Sequence, residues 1–370
     1  MKKSYDVIIV GAGIIGCSIA YQLSKQGQNV LVLEKDKIAS QASSAAAGML
    51  GLEMEHTFRQ NSSLFSLAKK SRAMFPDLQK ELKELSGIDI DYCQNGFLKV
   101  AQTDEEVSLL YQEMAHHQKK GILSEFLSPE NVHQLEPALS QTIRGALYVP
   151  EGANVSAEKL TYAFAYSASK LDVHFQENTE VSELITHDDH VIGVQTLTGD
   201  VYADDIVVAA GAWSARLLKQ NDIHLKTYPV KGECFSVQTT SPLLTSTIYT
   251  KNCYIVPKPG GELVIGATEI SRTFSEKVSL GSVYKLMDLA STLIPALKDT
   301  SFQSVWSGVR PQTLTGRPYV ERHSFYENLT IATGHYRNGI LLAPATGVLV
   351  ATLLAGDASD MSYTGGESYV

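Results

Sequence analysis

Three polar residues, His335, Arg337 and Asn338, separate two apolar segments near the end of the sequence. The stretch Leu329 to Gly347 reads LTIATGHYRNGILLAPATG, in which a strand-like run precedes the polar residues and a helix-like run follows them. Buried polar and charged groups are costly unless a partner satisfies them. The sequence therefore predicts that these side chains meet a polar ligand in the interior.

A second chemical signature lies near the start of the chain. Residues 5–36 read YDVIIVGAGIIGCSIAYQLSKQGQNVLVLEKD, and the glycines of its G-x-G-x-x-G pattern are Gly11, Gly13 and Gly16. Such glycines permit a tight turn, let a pyrophosphate approach the backbone and let the following helix pack on the strand. Glu34 lies 23 residues after Gly11, where an acid accepts hydrogen bonds from ribose hydroxyls and disfavours the 2′-phosphate of NADP. The sequence predicts a dinucleotide-binding βαβ unit, with a ligand-free glycine turn as the alternative.

The segment Ser40 to Leu50, SQASSAAAGML, joins polar serines to a run of small residues. Small side chains allow the backbone to lie close to an extended cofactor. The same pattern also fits an N-cap followed by an alanine-rich helix, so both interpretations stay open.

The composition is that of an ordinary globular protein. The 370 residues, 44% of them hydrophobic, suffice for about two domains. The 40 acidic and 31 basic residues give a net charge of −9, and no run of Lys or Arg exceeds a pair, which argues against nucleic acid as a partner. The four cysteines form no CxxC pair, so neither a disulfide framework nor a zinc site is expected.

The N-terminus superficially resembles a secretory signal, because two lysines precede the apolar run Tyr5 to Ala20. The glycines of the nucleotide-binding turn would weaken such a helix. No other segment approaches the roughly 20 uninterrupted apolar residues that a membrane span needs. We therefore expect a soluble, cytoplasmic protein that does not associate with a membrane.

Further elements must position the polar residues. Helical spacing is predicted over Ser62 to Ser86, where Pro76 is a kink or boundary, and over Asp104 to Lys120. Asn95-Gly96 and Asp188-Asp189 are interpreted as turns between paired strands.

Buried and alternating strands predict the fold class. The apolar strand Ile206 to Ala210 indicates a return to the first domain's sheet, and the segments from Tyr228 to Thr268 predict a separate antiparallel sheet. The expected fold is α/β plus antiparallel β, in which a Rossmann-like cofactor domain (1–85, 150–220 and 305–370) is interleaved with a β-rich substrate domain (86–149 and 221–304).

Seven motifs occur in a characteristic order: the βαβ unit, SSAAAGML, VVAAGAWS, VKGE, CYIVP, GVRP and GHYRNGILLAPATG. With them the sequence resembles, over essentially its whole length, the D-amino-acid oxidase superfamily of FAD enzymes, and within it the glycine oxidase family of the thiamine pathway. The resemblance implies non-covalent FAD, no metal, a homotetramer, and oxidation of glycine and other small amines, such as sarcosine and small D-amino acids, by O2 with release of hydrogen peroxide.

The glycine oxidase pattern implies three residues at the substrate. Arg310 corresponds to an arginine that grips the carboxylate, Tyr254 to a tyrosine that shares this task, and Arg337 to an arginine beside them. A planar guanidinium that donates two hydrogen bonds is an efficient anchor for a small amino acid. The alternatives are a surface ion pair for Arg310, a core tyrosine for Tyr254 and a structural ion pair for Arg337.

In the family, the turn before the last helix runs along the isoalloxazine ring, which would explain the polar residues there. The helix N-terminus would favour negative charge on the reduced ring. His335 is assigned to cofactor contact and not to proton transfer, with a satisfied core histidine as the alternative. The predicted cofactor contacts are Gly11, Gly13, Ile14, Ile15, Gly16, Glu34, Lys35, Ala42, Ser43, Ala47, Gly48, Met49, Val181, Gly211, His335, Tyr336, Arg337, Asn338, Gly339, Ile340 and Leu341.

Two residues depart from the family pattern. Asn252 and Glu269 stand where a histidine and a methionine are expected, so the preferred amine stays open. Glu269 either favours a cationic amine or turns away from the ring. Rival functions are a sarcosine-oxidase-like activity, a D-amino-acid dehydrogenase, and a flavin-binding protein without turnover. A flavin linked to cysteine is not expected, since no cysteine follows Cys253.

Overall fold

The computed structural model of the chain describes residues 4–53, 58 and 61–356. The predicted domain ranges 1–85 and 305–370 therefore include residues outside the described part, namely 1–3, 54–57, 59–60 and 357–370. The strands of the described part form two sheets, one of 8 strands and one of 9. This arrangement confirms the predicted combination of a Rossmann-like sheet with a mainly antiparallel one.

The first sheet contains the predicted βαβ unit. Strand β1 (Ser4–Val10) leads through the glycine turn into helix α1 (Ile14–Lys25), and β2 (Val30–Leu33) returns parallel to β1. Val7 and Ile9 pack into one core cluster while Ile8 and Val10 pack into another. Because both faces of β1 are covered, its sequence is a continuous apolar run without alternation.

The other strands of this sheet are β6 (His174–Gln176), β7 (Val181–His187), β8 (His190–Thr196), β9 (Gly199–Val208), β16 (Tyr319–Arg322) and β17 (Leu329–Thr333). The strand order is β16-β17-β9-β1-β2-β6, and β8 joins β7 to β9. Strands β2, β6, β9 and β17 run parallel to their neighbours around β1, which confirms the predicted return of the chain to this sheet.

The second sheet consists of β3 (Phe97–Ala101), β4 (Glu125–Leu127), β5 (Gly145–Val149), β10 (Thr227–Gln238), β11 (Thr247–Tyr249), β12 (Tyr254–Pro257), β13 (Glu262–Gly266), β14 (Ile270–Ser271) and β15 (Ser301–Thr313). Its order is β14-β10-β13-β12-β11-β3-β5-β4, and β15 pairs with the remaining side of β10. The β10–β15 ladder runs from Thr227 opposite Thr313 to Gln238 opposite Ser301.

The described helices besides α1 are α2 (Ala42–Ala45), α3 (Ser62–Ser86), α4 (Asp104–Lys119), α5 (Pro129–Leu135), α6 (Ala157–Lys170), α7 (Ser214–Leu218), α8 (Leu280–Leu293) and α9 (Gly339–Leu354). Helices α1, α3, α6 and α9 pack on one another beside the first sheet. The segment Tyr336–Leu354 has the length and apolar composition of a membrane span, but 67% of its apolar 18-residue window is buried inside the protein. We therefore interpret α9 as a core helix.

Local predictions met different outcomes. The hairpin at Asp188-Asp189 is confirmed between β7 and β8, whereas the hairpin at Asn95-Gly96 is wrong, because β3 pairs with β5 and β11 instead. Helix α3 continues through Pro76. Strand β15 belongs to the antiparallel sheet along its whole length, although residues from 305 onward were assigned to the cofactor domain. The division into domains stays a prediction.

Candidate active site

Parallel strands β1, β9 and β17 end side by side, because Val10 and Ile331 both lie opposite Val208. The segments that follow these ends carry the glycine turn, Gly211 and His335. Ligands of open α/β sheets bind in the crevice beyond the carboxyl ends of the strands. A cavity of about 380 Å³, called here the cofactor cavity, lies at this edge.

A second cavity of about 100 Å³, called here the substrate cavity, is lined by residues of β10, β12 and β15. Its volume is small beside the roughly 300–1,000 Å³ of pockets for drug-sized ligands. The two cavities share the residues Ala42, Ala46, Tyr336, Arg337 and Ile340. A ligand that passes between these shared residues would face both cavities.

Strand β15 separates the two cavities. Gly308 and Arg310 line the substrate cavity, whereas Val309 and Pro311 line the cofactor cavity. Successive side chains of a strand point to opposite faces, so this alternation follows directly from the extended backbone. The strand thereby gives each cavity part of its wall.

The glycine turn is tightly packed. A Cβ on Gly11 would lie 2.7 Å from the carbonyl oxygen of Ala209, and Gly11 has a φ of +108°. A Cβ on Gly16 would lie 1.9 Å from the carbonyl oxygen of Gly11. Side chains at these two positions are therefore excluded. The N-terminus of α1 is left open toward the cofactor cavity, where Ser43 Oγ accepts a hydrogen bond of 2.9 Å from Ile14 N.

Glu34 is held in one orientation beside this turn. Its Oε2 accepts a hydrogen bond of 2.8 Å from Ala12 N, and its Oε1 accepts one of 3.0 Å from Asp36 N. Burial raises the pKa of Glu34, while these backbone N–H groups favour its ionised form. The carboxylate lines the cofactor cavity, at the place where the motif predicts a ribose contact.

The cofactor cavity fits FAD on features of its own. The glycine turn exposes backbone without side chains, the N-terminus of α1 faces the cavity, and Glu34 is a buried acid beside it. Together these features match the requirements of a pyrophosphate and an adjoining ribose. Fifteen of the predicted cofactor contacts line this cavity: Gly11, Gly13, Ile14, Ile15, Glu34, Lys35, Ala42, Ser43, Val181, Gly211, His335, Tyr336, Arg337, Gly339 and Ile340. Four of them, Ala42, Tyr336, Arg337 and Ile340, also line the substrate cavity.

The remaining predicted contacts lie elsewhere. Ala47, Gly48, Met49, Asn338 and Leu341 line the substrate cavity only. Gly16 lines neither cavity and instead allows α1 to pack against the turn, so its contribution is to the shape of the site.

Arg310 lies in the substrate cavity against the backbone of Gly232, where a Cβ would lie 2.2 Å from Nη2. Its Nη1 donates a hydrogen bond of 3.3 Å to the carbonyl oxygen of Thr268. Among the described residues no carboxylate lies within ion-pair distance of this guanidinium. Arg310 can therefore bind an anion, which the surface ion pair considered from sequence would have prevented.

Tyr254 lies on β12 and is buried in the same cavity. Its hydroxyl lies 3.5 Å from Sγ of Cys234, and burial raises the pKa of Tyr254 well above its usual value. The hydroxyl is therefore neutral, so it can donate a hydrogen bond to a ligand. Asn252, in contrast, is exposed at the edge of this cavity.

Arg337 forms an ion pair with Glu269, as the structural alternative allowed. Nη1 of Arg337 lies 2.7 Å from Oε1 of Glu269, and its Nη2 donates a hydrogen bond of 2.9 Å to the hydroxyl of Tyr249. Tyr336 also donates to Oε1 of Glu269, at 3.0 Å. Burial disfavours the carboxylate, but the charge and hydrogen bonds of these partners outweigh it and lower the pKa of Glu269.

His335 is a neutral, buried histidine. Its Nε2 lies 3.2 Å from Oγ1 of Thr346 in α9, and burial lowers its pKa to about 3. The ring therefore carries no charge at neutral pH, and proton transfer to or from an imidazolium is not available here. Its position in the cofactor cavity agrees with a contact role.

Lys258, which the motifs did not indicate, directly follows β12 and contacts the segments that contain Ala47 and Asn154. Its Nζ donates hydrogen bonds to the carbonyl oxygens of Ala47 (2.7 Å) and Val155 (2.8 Å) and to Oδ1 of Asn154 (3.0 Å). Burial lowers the pKa of Lys258 to about 7. The side chain fixes the Ala47 segment against the strand that carries Tyr254.

Several lining residues were not predicted. Trp213, within the VVAAGAWS motif, lies in the cofactor cavity with Lys35 Nζ 4.0 Å from its ring centre, so the motif already contained a signal for it. Tyr249, Cys234 and Gly232 line the substrate cavity. Their positions depend on how β10, β11 and β12 pair, and the sequence carried no local signal for that pairing.

Comparison with known proteins shows the family of the chain. Residues 6–353 match the family model DAO, described as FAD dependent oxidoreductase. Glycine oxidase of Geobacillus kaustophilus is 43% identical over 357 residues, 96% of this chain and 94% of that protein. Glycine oxidase of Bacillus subtilis is 37% identical over 355 residues, again 96% and 94% of the two chains.

The fold agrees equally well with a solved structure. The crystal structure of glycine oxidase from Geobacillus kaustophilus superimposes with a TM-score of 0.93 at 41% identity and covers 96% of each chain. Since the family model spans nearly the whole sequence and the relatives align end to end, the chain belongs to the DAO family of FAD-dependent oxidoreductases, in the group of the bacterial glycine oxidases.

Proposed function

We propose that the chain is an FAD-dependent glycine oxidase that also accepts other small amines, including sarcosine and small D-amino acids. The amine loses a hydride and a proton to become an imine, O2 accepts the two electrons and two protons to give hydrogen peroxide, and water releases ammonia and the 2-oxo acid from the imine. The observation that carries this proposal is an arginine without a carboxylate partner among the described residues, Arg310, in a small cavity that shares its lining with the cofactor cavity.

Two side chains hold the substrate in this proposal. Arg310 donates two hydrogen bonds to the substrate carboxylate, and the hydroxyl of Tyr254 donates a third. Fixed geometry of this kind turns a bimolecular encounter into an effectively unimolecular step. FAD, held by the glycine turn, Glu34 and the residues around His335, would supply the chemistry of accepting a hydride from the α-carbon and reducing O2.

The residues of the substrate cavity also restrict the protonation state of the amine. No histidine lines this cavity among the described residues, and the carboxylate of Glu269 is already paired with Arg337. We therefore propose that the substrate amine binds in its neutral form, for which no general base is needed. The reaction needs no Ser-His-Asp group.

We also propose, from the family resemblance, that the protein is a cytoplasmic homotetramer whose imine product supplies dehydroglycine for the thiazole of thiamine. Sedimentation equilibrium of the purified protein tests the tetramer, and growth of a deletion strain without thiamine tests the pathway.

The central test uses purified protein with bound FAD. Anaerobic mixing with glycine is expected to bleach the flavin absorbance, and admission of air is expected to restore the colour with one peroxide formed per glycine oxidised. Bleaching without peroxide would indicate a dehydrogenase. Absence of bleaching with every small amine tried would indicate a flavin-binding protein without turnover.

A further inference from the structure

Four charged side chains line the substrate cavity, the exposed Lys251 and the three residues Glu269, Arg310 and Arg337, and the two guanidinium groups are paired unequally. Arg337 lies in an ion pair with Glu269 at 2.7 Å and donates to Tyr249 at 2.9 Å. Arg310 donates only to a backbone carbonyl oxygen, that of Thr268, the residue immediately before Glu269. Of the two guanidinium groups that line the cavity, Arg337 has a carboxylate partner, whereas Arg310 has none among the described residues.

The position of Glu269 is fixed from two sides. The hydroxyl of Tyr336 donates to the same carboxylate oxygen that Arg337 contacts, at 3.0 Å. Thr268 is held by Glu233, whose backbone N–H donates to Thr268 Oγ1 at 2.9 Å. The carboxylate thus stays beside Arg337, about half-exposed at the cavity, with its charge intact.

A substrate with a second carboxylate would meet this arrangement unfavourably. The first carboxylate of such a substrate would bind Arg310. The second would lie toward Arg337, whose guanidinium is already in an ion pair with Glu269. Like charges close together repel, and specificity often depends on such repulsion against the wrong ligand. Glycine has a single carboxylate, so it avoids this repulsion by Glu269.

We propose that Glu269 is a specificity-determining residue, which neutralises Arg337 and so restricts the substrates to amines that carry a single carboxylate. The inference rests on the proposed function, since it assumes that Arg310 binds the substrate carboxylate. It gives a role to one of the two positions at which the sequence departs from the family pattern.

The experiment compares the holoenzyme of the wild type with Glu269→Gln, which removes the charge but keeps the size of the side chain. The kcat/KM values are measured for glycine and for two amines with two carboxylates, iminodiacetate and D-aspartate. Binding of acetate and of malonate, which are not oxidised, is followed by the change in flavin absorbance. Glu125→Gln, an exposed carboxylate at the far edge of the same sheet, is the matched control.

Glu269→Gln is expected to raise the ratio of dicarboxylate to glycine kcat/KM, and the affinity for malonate relative to acetate, by at least about tenfold. Adding Arg337→Met to this variant is expected to abolish the gain, whereas Glu125→Gln leaves both ratios unchanged. Ratios within about twofold of the wild type would overturn the proposal. If Glu269→Gln does not retain flavin, Glu269→Met removes the same charge and gives the same comparison.

Failure of this inference is distinguishable from failure of the proposed function. The wild type's oxidation of glycine tests the function alone. The malonate and acetate titrations test the charge arrangement even in a protein that turns over no amine.

Discussion

The guanidinium of Arg310 packs directly against the backbone of Gly232, since a Cβ on Gly232 would lie 2.2 Å from Nη2 and 2.5 Å from Cζ. The two residues lie on paired strands, because Val230 of β10 is opposite Arg310 of β15. The absence of a side chain at Gly232 therefore creates the space in which the substrate-binding group lies.

Gly232→Ala is expected to displace the Arg310 guanidinium and to raise the KM for glycine at least about tenfold, because a misplaced anchor loses hydrogen bonds of about 1.5–3 kcal/mol each to a charged ligand. Steady-state peroxide assays measure this change, and flavin absorbance shows that the cofactor is retained. Gly281→Ala is the control, since nothing lies within 4 Å of a Cβ at that position. An unchanged KM would show that the guanidinium can move without loss.

Arg310→Ala removes the proposed carboxylate anchor and is expected to raise the KM for glycine about 100-fold or more, with normal flavin content. Arg310→Lys keeps the charge but loses the planar, two-pronged geometry, so we expect it to recover only part of the loss. Steady-state kinetics at saturating O2 measure both variants. Kinetics of Arg310→Ala equal to the wild type would remove the assignment.

Ser43→Ala is expected to weaken FAD binding by about fivefold to tenfold. The Ser43 hydroxyl accepts a hydrogen bond from the backbone N–H of Ile14 at the N-terminus of α1, where both residues line the cofactor cavity. The loss of one hydrogen bond costs about 1 kcal/mol. The measurement is a fluorescence titration of apoprotein with FAD. Ser44→Ala is the matched control, since the Ser44 hydroxyl donates to Gln41 O and lines neither cavity. Equal FAD affinity in the two variants would contradict the prediction.

Lys258 predicts a pH dependence of stability. Burial lowers its pKa from 10.5 to about 7, so the folded protein releases this proton at a lower pH than the unfolded chain does. The free energy of unfolding is therefore expected to rise with pH between about 7 and 10, by about 1 kcal/mol per pH unit relative to Lys258→Met.

Urea unfolding of the wild type and of Lys258→Met at several pH values measures this difference. Subtracting the two curves cancels the titration of all other groups. A difference that does not change with pH would show that the three oxygen atoms around Nζ keep the ammonium charged in the folded protein.

Local patterns predicted part of this molecule well. The glycine turn, α1 and β2 follow each other within one short segment, so spacing alone determined them. The Asn95-Gly96 hairpin was wrong because turn propensity acts locally, while the partners of β3 are supplied by β5 and β11 from distant parts of the chain.

The substrate cavity was less predictable for the same reason. Arg310 was indicated by its motif, but its contact with Gly232 depends on the register of β10 and β15. The ion pair of Glu269 and Arg337 joins residues 68 positions apart. The hydrophobic periodicity of the sequence does not indicate such a contact, because tertiary packing alone brings these residues together.

Strand β15 places neighbouring residues, Val309 and Arg310, in the walls of different cavities. Adjacent α-carbons are about 3.8 Å apart across a trans peptide. Covalent geometry therefore sets the distance between the backbone of Arg310, which anchors the substrate in our proposal, and that of Val309, which borders the cofactor cavity. A tilt of the antiparallel sheet would move Val309 and Arg310 together. The two residues would keep their relative position even if the movement changed the shape of either cavity.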